Sequence, residues 1–367
     1  MSEKKERKTL VECIRNFTPS WFSTTMGTGI VSILLYNFPF PFKGLHIIAI
    51  VVFFINVTLF CLCTILSLAR YIMFPSVIQL MLKHASQSLF VGTIPMGLTT
   101  ITNFCILLGY VDVAFVLWCI ELVLTVMSCL VIPYYLIIHH HHRLESMNGT
   151  WLLPIVPAVV TAASGGLLAQ HINVTRGMVV LIMSFIMMGM GLFLALSIIV
   201  IYFYRLAIHK LPPKEVIVSS FLPLGPLGQG AYGMIQLGLA SDRLLGNRFI
   251  EGFGKTVNGI GLISALMLWG YGLWYLVVAV FSVAVTTKQG IPFSIGWWGL
   301  TFPLGVFTAA TLSIGQSLDS MFFSVLAAIF TCVLVLIWLG VMIKTLKGAL
   351  TGEMFYAPCL TPVILNP

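Results

Sequence analysis

Apolar stretches long enough to cross a lipid bilayer recur along almost the whole chain, and they leave few folds open. They lie near residues 17–36, 45–69, 87–109, 113–138, 150–169, 177–204, 218–240, 257–285, 293–314 and 321–343. A helix needs roughly 20 apolar residues to span the hydrocarbon, so each of the ten is of spanning length. Charged residues make up 8% of the 367 positions and hydrophobic residues 59%, a balance that a water-facing surface could not carry. Lipid must be the solvent, and the fold class is all-α integral membrane. The chain then divides into an N-terminal segment 1–16, a transmembrane domain 17–345 and a tail 346–367. No short apolar segment with a small-residue cleavage site precedes the first span, so that span is expected to direct insertion itself.

The net charge of +8 would suit nucleic acid only if the basic residues formed a patch, and they are scattered between apolar spans. No nucleic-acid partner is expected. Topology explains them better. With the N-terminus inside, 14 of the 19 Lys and Arg residues fall in the cytoplasm, which places both termini there and favours an even number of spans. The eight cysteines show no CxxC spacing, so neither a disulfide framework nor a zinc site is expected, and nothing calls for a cofactor.

The odd-numbered spans differ from the even ones. They carry Pro19, Pro95, Pro154 with Pro157, Pro223 with Pro226, and Pro303; the even spans hold only Pro133. Pro95–Gly97, Pro223–Gly225 and Pro303–Gly305 share a Pro-X-Gly pattern, so the chain reads as five helical hairpins. Proline frees backbone polar groups, which at membrane depth must be buried in protein or line a water-filled cavity. The five proline helices are therefore expected around a central path, as kinked inner helices, with the smoother five outside.

Polar side chains follow the same division. Ser20, Thr24, Thr28 and Ser32 repeat every four residues on the first span, and Thr99 with Asn103 repeat that spacing on the third. Span seven offers Gln229, Tyr232 and Gln236; span nine offers Thr301, Thr308 and Thr311. Hydroxyls and amides can replace part of an anion's hydration shell without trapping it. The same residue types also serve simply to join helices in membranes, but their recurrence on the proline helices favours a path. No intramembrane cation accompanies them, and Glu121 in span four is the acidic residue placed well inside a span. His139–His142 reads as a solvated turn at the inner end of span four, with a metal site or a pH-sensitive gate as alternatives.

Residues Asn16–Phe22 with Met26–Ile30, Trp151–Pro154 and Trp297–Pro303 resemble fungal sulfite efflux pumps. These belong to the tellurite-resistance and dicarboxylate transporter family, with the yeast malate permeases and plant guard-cell slow anion channels. The resemblance covers nearly the whole chain. It implies ten helices in five hairpins around a pseudo-five-fold pore, commonly as a homotrimer with one pore per subunit. It also implies a phenylalanine occluding the pore, here Phe302 beside Pro303. With Phe17 and Thr161 added, the candidate anion path comprises Phe17, Ser20, Thr24, Thr28, Thr99, Asn103, Thr161, Gln229, Tyr232, Thr301 and Thr308. The function implied is sulfite or bisulfite efflux across the plasma membrane, driven by the membrane potential, with no enzymatic step. A C4-dicarboxylate carrier of the same fold is the alternative, for which a pore cation would be expected.

Overall fold

A computed structural model describes residues 8–140 and 142–360. Among these residues the chain forms helices and no strand. A short α1 (Leu10–Arg15), held by a capping box between Thr9 and Glu12, precedes α2 (Ser23–Tyr36), α3 (Leu45–Met73) and a brief α4 (Ser76–Lys83). There follow α5 (Thr93–Leu107), α6 (Val111–Ile138), α7 (Val156–Ala169), α8 (Val174–His209), α9 (Leu224–Leu245), α10 (Phe253–Thr287), α11 (Trp298–Ser317) and α12 (Met321–Thr351).

Seven helical segments among the described residues are long and apolar enough to cross a membrane: α3, Ser88–Leu107, α6, α8, α10, Ile295–Ser317 and α12. The other three expected spans contain α2, α7 and α9, and each falls short for a visible reason. Helices α2 and α7 are 14 residues each, and α9 carries Gly225, Gly228, Gly230, Gly233, Gly238, Gln229 and Gln236. A helix that faces protein instead of lipid does not need an apolar surface all round.

Burial separates two classes. Within their most apolar stretches Ser88–Leu107 and Ile295–Ser317 are 78% and 89% buried, whereas α3, α6, α8, α10 and α12 lie between 22% and 44%. The outer faces of the second class expose large apolar side chains such as Phe54, Val123, Phe193, Phe281 and Leu336, as lipid contact requires. The helices of the proline-bearing spans, α2, α5, α7, α9 and α11, are the buried class, and they touch in a closed ring: α2 on α5, α5 on α7, α7 on α9, α9 on α11, and α11 back on α2. Each also packs on the outer helix that follows it in the chain, α3, α6, α8, α10 or α12.

Glycine brings the ring helices together. A Cβ at Gly97 would sit 2.3 Å from Thr25 Oγ1, one at Gly228 2.7 Å from the Phe307 backbone, and one at Gly305 2.6 Å from Ile30. The 3₁₀ turns at the helix starts use the same device, with Gly92 against the Leu153 carbonyl and Gly149 against that of Ser219. Small residues at such contacts let helices approach where no hydrophobic effect drives them together.

Hydrogen bonds then tie outer helices to the next ring helix. Asn56 Nδ2 on α3 donates to Thr100 Oγ1 on α5 (2.9 Å), Trp118 Nε1 on α6 to the Thr161 carbonyl on α7 (3.0 Å), and Trp269 Nε1 on α10 to Thr311 Oγ1 on α11 (2.9 Å). Two buried arginines fasten the helix ends: Arg70 Nε donates to the Arg15 carbonyl (3.0 Å) and Arg205 Nη2 to that of Glu145 (2.9 Å).

Candidate functional site

Each ring helix starts through a 3₁₀ turn, at Pro19–Phe22, Ser88–Gly92, Gly149–Leu152, Ile217–Phe221 and Ile295–Trp297. Proline explains much of this placement. Pro19 opens its turn, Pro95, Pro157 and Pro226 fall in the first turn of their helices, and Pro154 and Pro223 lie just before a helix start. A missing N–H costs nothing there, because the first helical N–H groups lack intrahelical acceptors anyway. Pro303 lies inside α11.

The five turns contact one another in the same cyclic order as the helices, so five helix amino termini converge at one end of the ring. They surround a cavity of about 300 Å³ lined by Ser20, Gln87, Asn148, Thr150, Ser219, Ser294, Trp297 and Phe302, among others. Outside it a wider bowl of about 780 Å³ shares Ser20, Gln87, Ser294 and Pro358 and is rimmed by Lys8, Glu353 and Tyr356. Together they form a vestibule, and the buried Phe302 sits where the inner cavity reaches α11 with Pro303 beside it. Among the described residues the inner cavity lining includes Glu215 and no Lys or Arg. The positive charge presented to it comes from the amino ends of the helix dipoles, beside neutral polar groups.

Several indole and hydroxyl groups at the inner cavity are already engaged: Ser20 Oγ with Thr18, Thr150 Oγ1 with Asn148 Oδ1, and Trp297 Nε1 with the Pro292 carbonyl. Ser219 Oγ lines the cavity as a buried hydroxyl with no hydrogen-bond partner, and Ser88 Oγ is another next to Gln87, whose Oε1 is a buried acceptor likewise without one. Deeper in the ring the threonine hydroxyls are turned onto their own helices: Thr24 to the Trp21 carbonyl, Thr99 to Pro95, Thr301 to Trp298 and Thr308 to Leu304. Such back-bonding satisfies the hydroxyl inside an apolar helix, so an anion there meets mainly oxygen lone pairs unless a hydroxyl rotates.

The expected path residues are therefore distributed over several surroundings. Ser20 and Phe302 face the vestibule. Phe17 and Thr24 line a separate apolar cavity of about 150 Å³ with Trp21, Cys63 and Phe355. Thr28 accepts the Trp338 indole N–H at 3.1 Å, Asn103 Oδ1 accepts from Ser164 at 2.7 Å, and Thr161 shares a 2.8 Å hydrogen bond with Thr125. Gln229 is buried within α9, and Tyr232 is partly buried against the core where α9 meets α10. Gln87, Asn148, Thr150, Ser219 and Ser294 were not anticipated by the four-residue polar spacing, because they precede the helices or sit in 3₁₀ turns. Their common signal is an uncharged polar residue shortly before each ring helix.

His84, just outside the vestibule, orders one of these residues: its Nδ1 accepts the backbone N–H groups of Ser86 (3.3 Å) and Gln87 (3.2 Å). Burial, assisted by nearby His140, holds its imidazole below the usual histidine range. Of the histidine tract, His140 Nε2 lies 3.0 Å from the Leu82 carbonyl and the His142 ring packs on Trp151 at 4.8 Å; His141 is outside the described residues. Among the described residues no cluster of His, Cys, Asp or Glu could hold a metal ion.

The sequence has relatives among known proteins. The voltage-dependent anion channel family SLAC1 matches residues 16–346. The chain belongs to the SLAC1 family. Within it, the chain is 42% identical to a sulfite efflux pump of Arthroderma benhamiae over 96% of both proteins. The sulfite efflux pump of Saccharomyces cerevisiae is 27% identical, with 82% of this chain and 79% of that protein aligned. The malic acid transport protein of Schizosaccharomyces pombe is 25% identical over 95% of this chain and 82% of its own length. As a SLAC1-family chain with seven apolar spanning helices, it is a multi-pass membrane protein of a transporter and channel family.

Proposed function

We propose that this chain exports sulfite or bisulfite across the plasma membrane, with the vestibule on the cytoplasmic side. The observation that carries this is the 42% identity to a sulfite efflux pump along 96% of each protein. In this reading ten helices cross the bilayer as five hairpins about a pseudo-five-fold pore, both termini are cytoplasmic, and each subunit of a homotrimer has its own path. The anion collects where five helix amino termini meet, loses water to Ser219, Ser20 and Gln87, and passes once Phe302 moves aside. An inside-negative potential is worth about 2.3 kcal/mol per charge per 100 mV, which drives an anion outward with no bond broken and no cofactor used.

The malate alternative is the weaker reading. A dicarboxylate needs a second positive contact, and among the described residues the inner cavity offers Glu215 but no Arg or Lys. Proteoliposomes containing the purified chain distinguish the two. Sulfite efflux faster than malate efflux at equal driving force is the expected result. Malate moving faster, or sulfite release no quicker than from empty liposomes, overturns the proposal.

A further inference from the structure

Glu121 is the completely buried acidic side chain among the described residues, and it lies near the middle of α6. Helix α6 packs on both α5 and α7, and the hydroxyls of Thr99 and Thr102 from α5 and Thr161 from α7 surround the carboxyl. Neither carboxyl oxygen has a partner at hydrogen-bonding geometry. Two of these hydroxyls are engaged on their own helix, Thr99 donating to the Pro95 carbonyl (3.0 Å) and Thr102 to that of Leu98 (3.2 Å), and Thr161 shares a hydrogen bond with Thr125 (2.8 Å) in which either can donate. A carboxylate must turn these hydroxyls from their present partners to be solvated, whereas a carboxylic acid can donate its O–H to one as they stand.

Among the described residues no countercharge is at hand. Helix α5 carries a single titratable group, Cys105; α7 and the Ser88–Gly92 turn carry none; α8 has none between residues 177 and 201; and α4 offers Lys83 at its far end. On α6 itself Asp112 is paired with Arg176 at 3.3 Å, and Cys119, Cys129, Tyr134 and Tyr135 bring no positive charge. An isolated buried carboxylate is so costly that such a group takes up a proton instead.

We propose that Glu121 is a proton-binding site coupled to the anion: the path conducts while Glu121 holds a proton and stalls when it is ionised. This rests on the anion-export reading, because Thr99 and Thr161 are candidate path residues and Glu121 lies directly behind them. The proton comes from water in the path through those hydroxyls and returns the same way, so no other reactant is involved. By reciprocity, a proton on Glu121 strengthens anion binding and an anion in the path strengthens proton binding. An exporter built this way opens as the cytoplasm acidifies.

The test uses the full chain in proteoliposomes and chloride as the probe, because chloride does not itself titrate. At clamped voltage, wild-type chloride flux should fall several-fold from acid to alkaline pH. Glu121→Gln, which mimics the neutral acid, should hold the acid-side flux at every pH, and Glu121→Asp should keep a fall. A flat wild-type profile, or an unchanged fall in Glu121→Gln, overturns the proposal. If no anion moves through wild type, the export reading fails; if Glu121→Gln does not fold, its flux cannot be read. In both cases infrared spectroscopy of the wild-type protein decides the proton site. A protonated-carboxyl C=O band whose intensity rises on adding chloride supports it, and a spectrum without that band contradicts it.

Discussion

Trp338 on α12 donates its indole N–H to Thr28 Oγ1 on α2 at 3.1 Å, across 310 positions of sequence. It repeats, at the seam of the ring, the outer-to-next-inner link made by Trp118 with Thr161 and Trp269 with Thr311. The last hairpin is thereby fastened to the first. Trp338→Phe should lower the thermal midpoint in detergent, by an amount equivalent to about 1 kcal/mol. Thr28→Val should cost about the same, and the double variant should cost no more than either single one. Fully additive losses would show that the two side chains stabilise the ring independently.

The Pro-X-Gly pattern makes a sharper distinction than its regularity suggests. A Cβ at Gly305 would meet Ile30 atoms at 2.6 Å, and one at Gly228 the Phe307 backbone at 2.7 Å, whereas one at Gly225 has nothing nearer than Val156 Cγ1 at 3.9 Å. Gly305→Ala and Gly228→Ala should each destabilise by about 1–3 kcal/mol, the range for overpacking a tight contact. Gly225→Ala should be close to neutral. Equal losses of folded protein in size-exclusion profiles of all three would contradict this assignment of contacts.

Much of this was legible in the sequence because lipid and proline leave coarse marks. The division into buried and lipid-facing helices follows from which spans carry Pro19, Pro95, Pro157, Pro226 and Pro303, and the burial of α5 and α11 against α6 and α12 agrees with it. Side-chain direction was not legible. Thr24 and Thr28, one turn apart on α2, meet different neighbours, an apolar cavity and a tryptophan. Ser20 shares a sequence stripe with them yet faces the vestibule, because it lies in a 3₁₀ turn whose rotation per residue differs from that of α2. Ser219 and Gln87 were invisible to helical periodicity for the same reason. Pairings such as Trp338 with Thr28 depend on ring closure, which no local pattern records.

The vestibule should respond to pH through His84. Its imidazole is held below the usual histidine range by burial, so the folded chain favours the neutral ring. The stabilisation is therefore present above the ordinary histidine range and is lost as pH falls through the lowered value. Protonated Nδ1 can no longer accept from Ser86 and Gln87. Wild-type protein should lose thermal stability towards mildly acid pH more steeply than His84→Asn, whose amide oxygen still accepts. Parallel profiles for the two proteins would remove His84 from this role.

Phe302 is 3% exposed and reaches the inner cavity beside Pro303, where its ring is the closed state of the proposed sulfite path. The most direct measurement is sulfite current through purified wild-type and Phe302→Ala protein in voltage-clamped bilayers, at matched protein density. Removal of the ring should raise the current several-fold without reversing its anion selectivity. A current equal to wild type, from protein of unchanged stability, would contradict the claim that sulfite leaves through a path closed at Phe302.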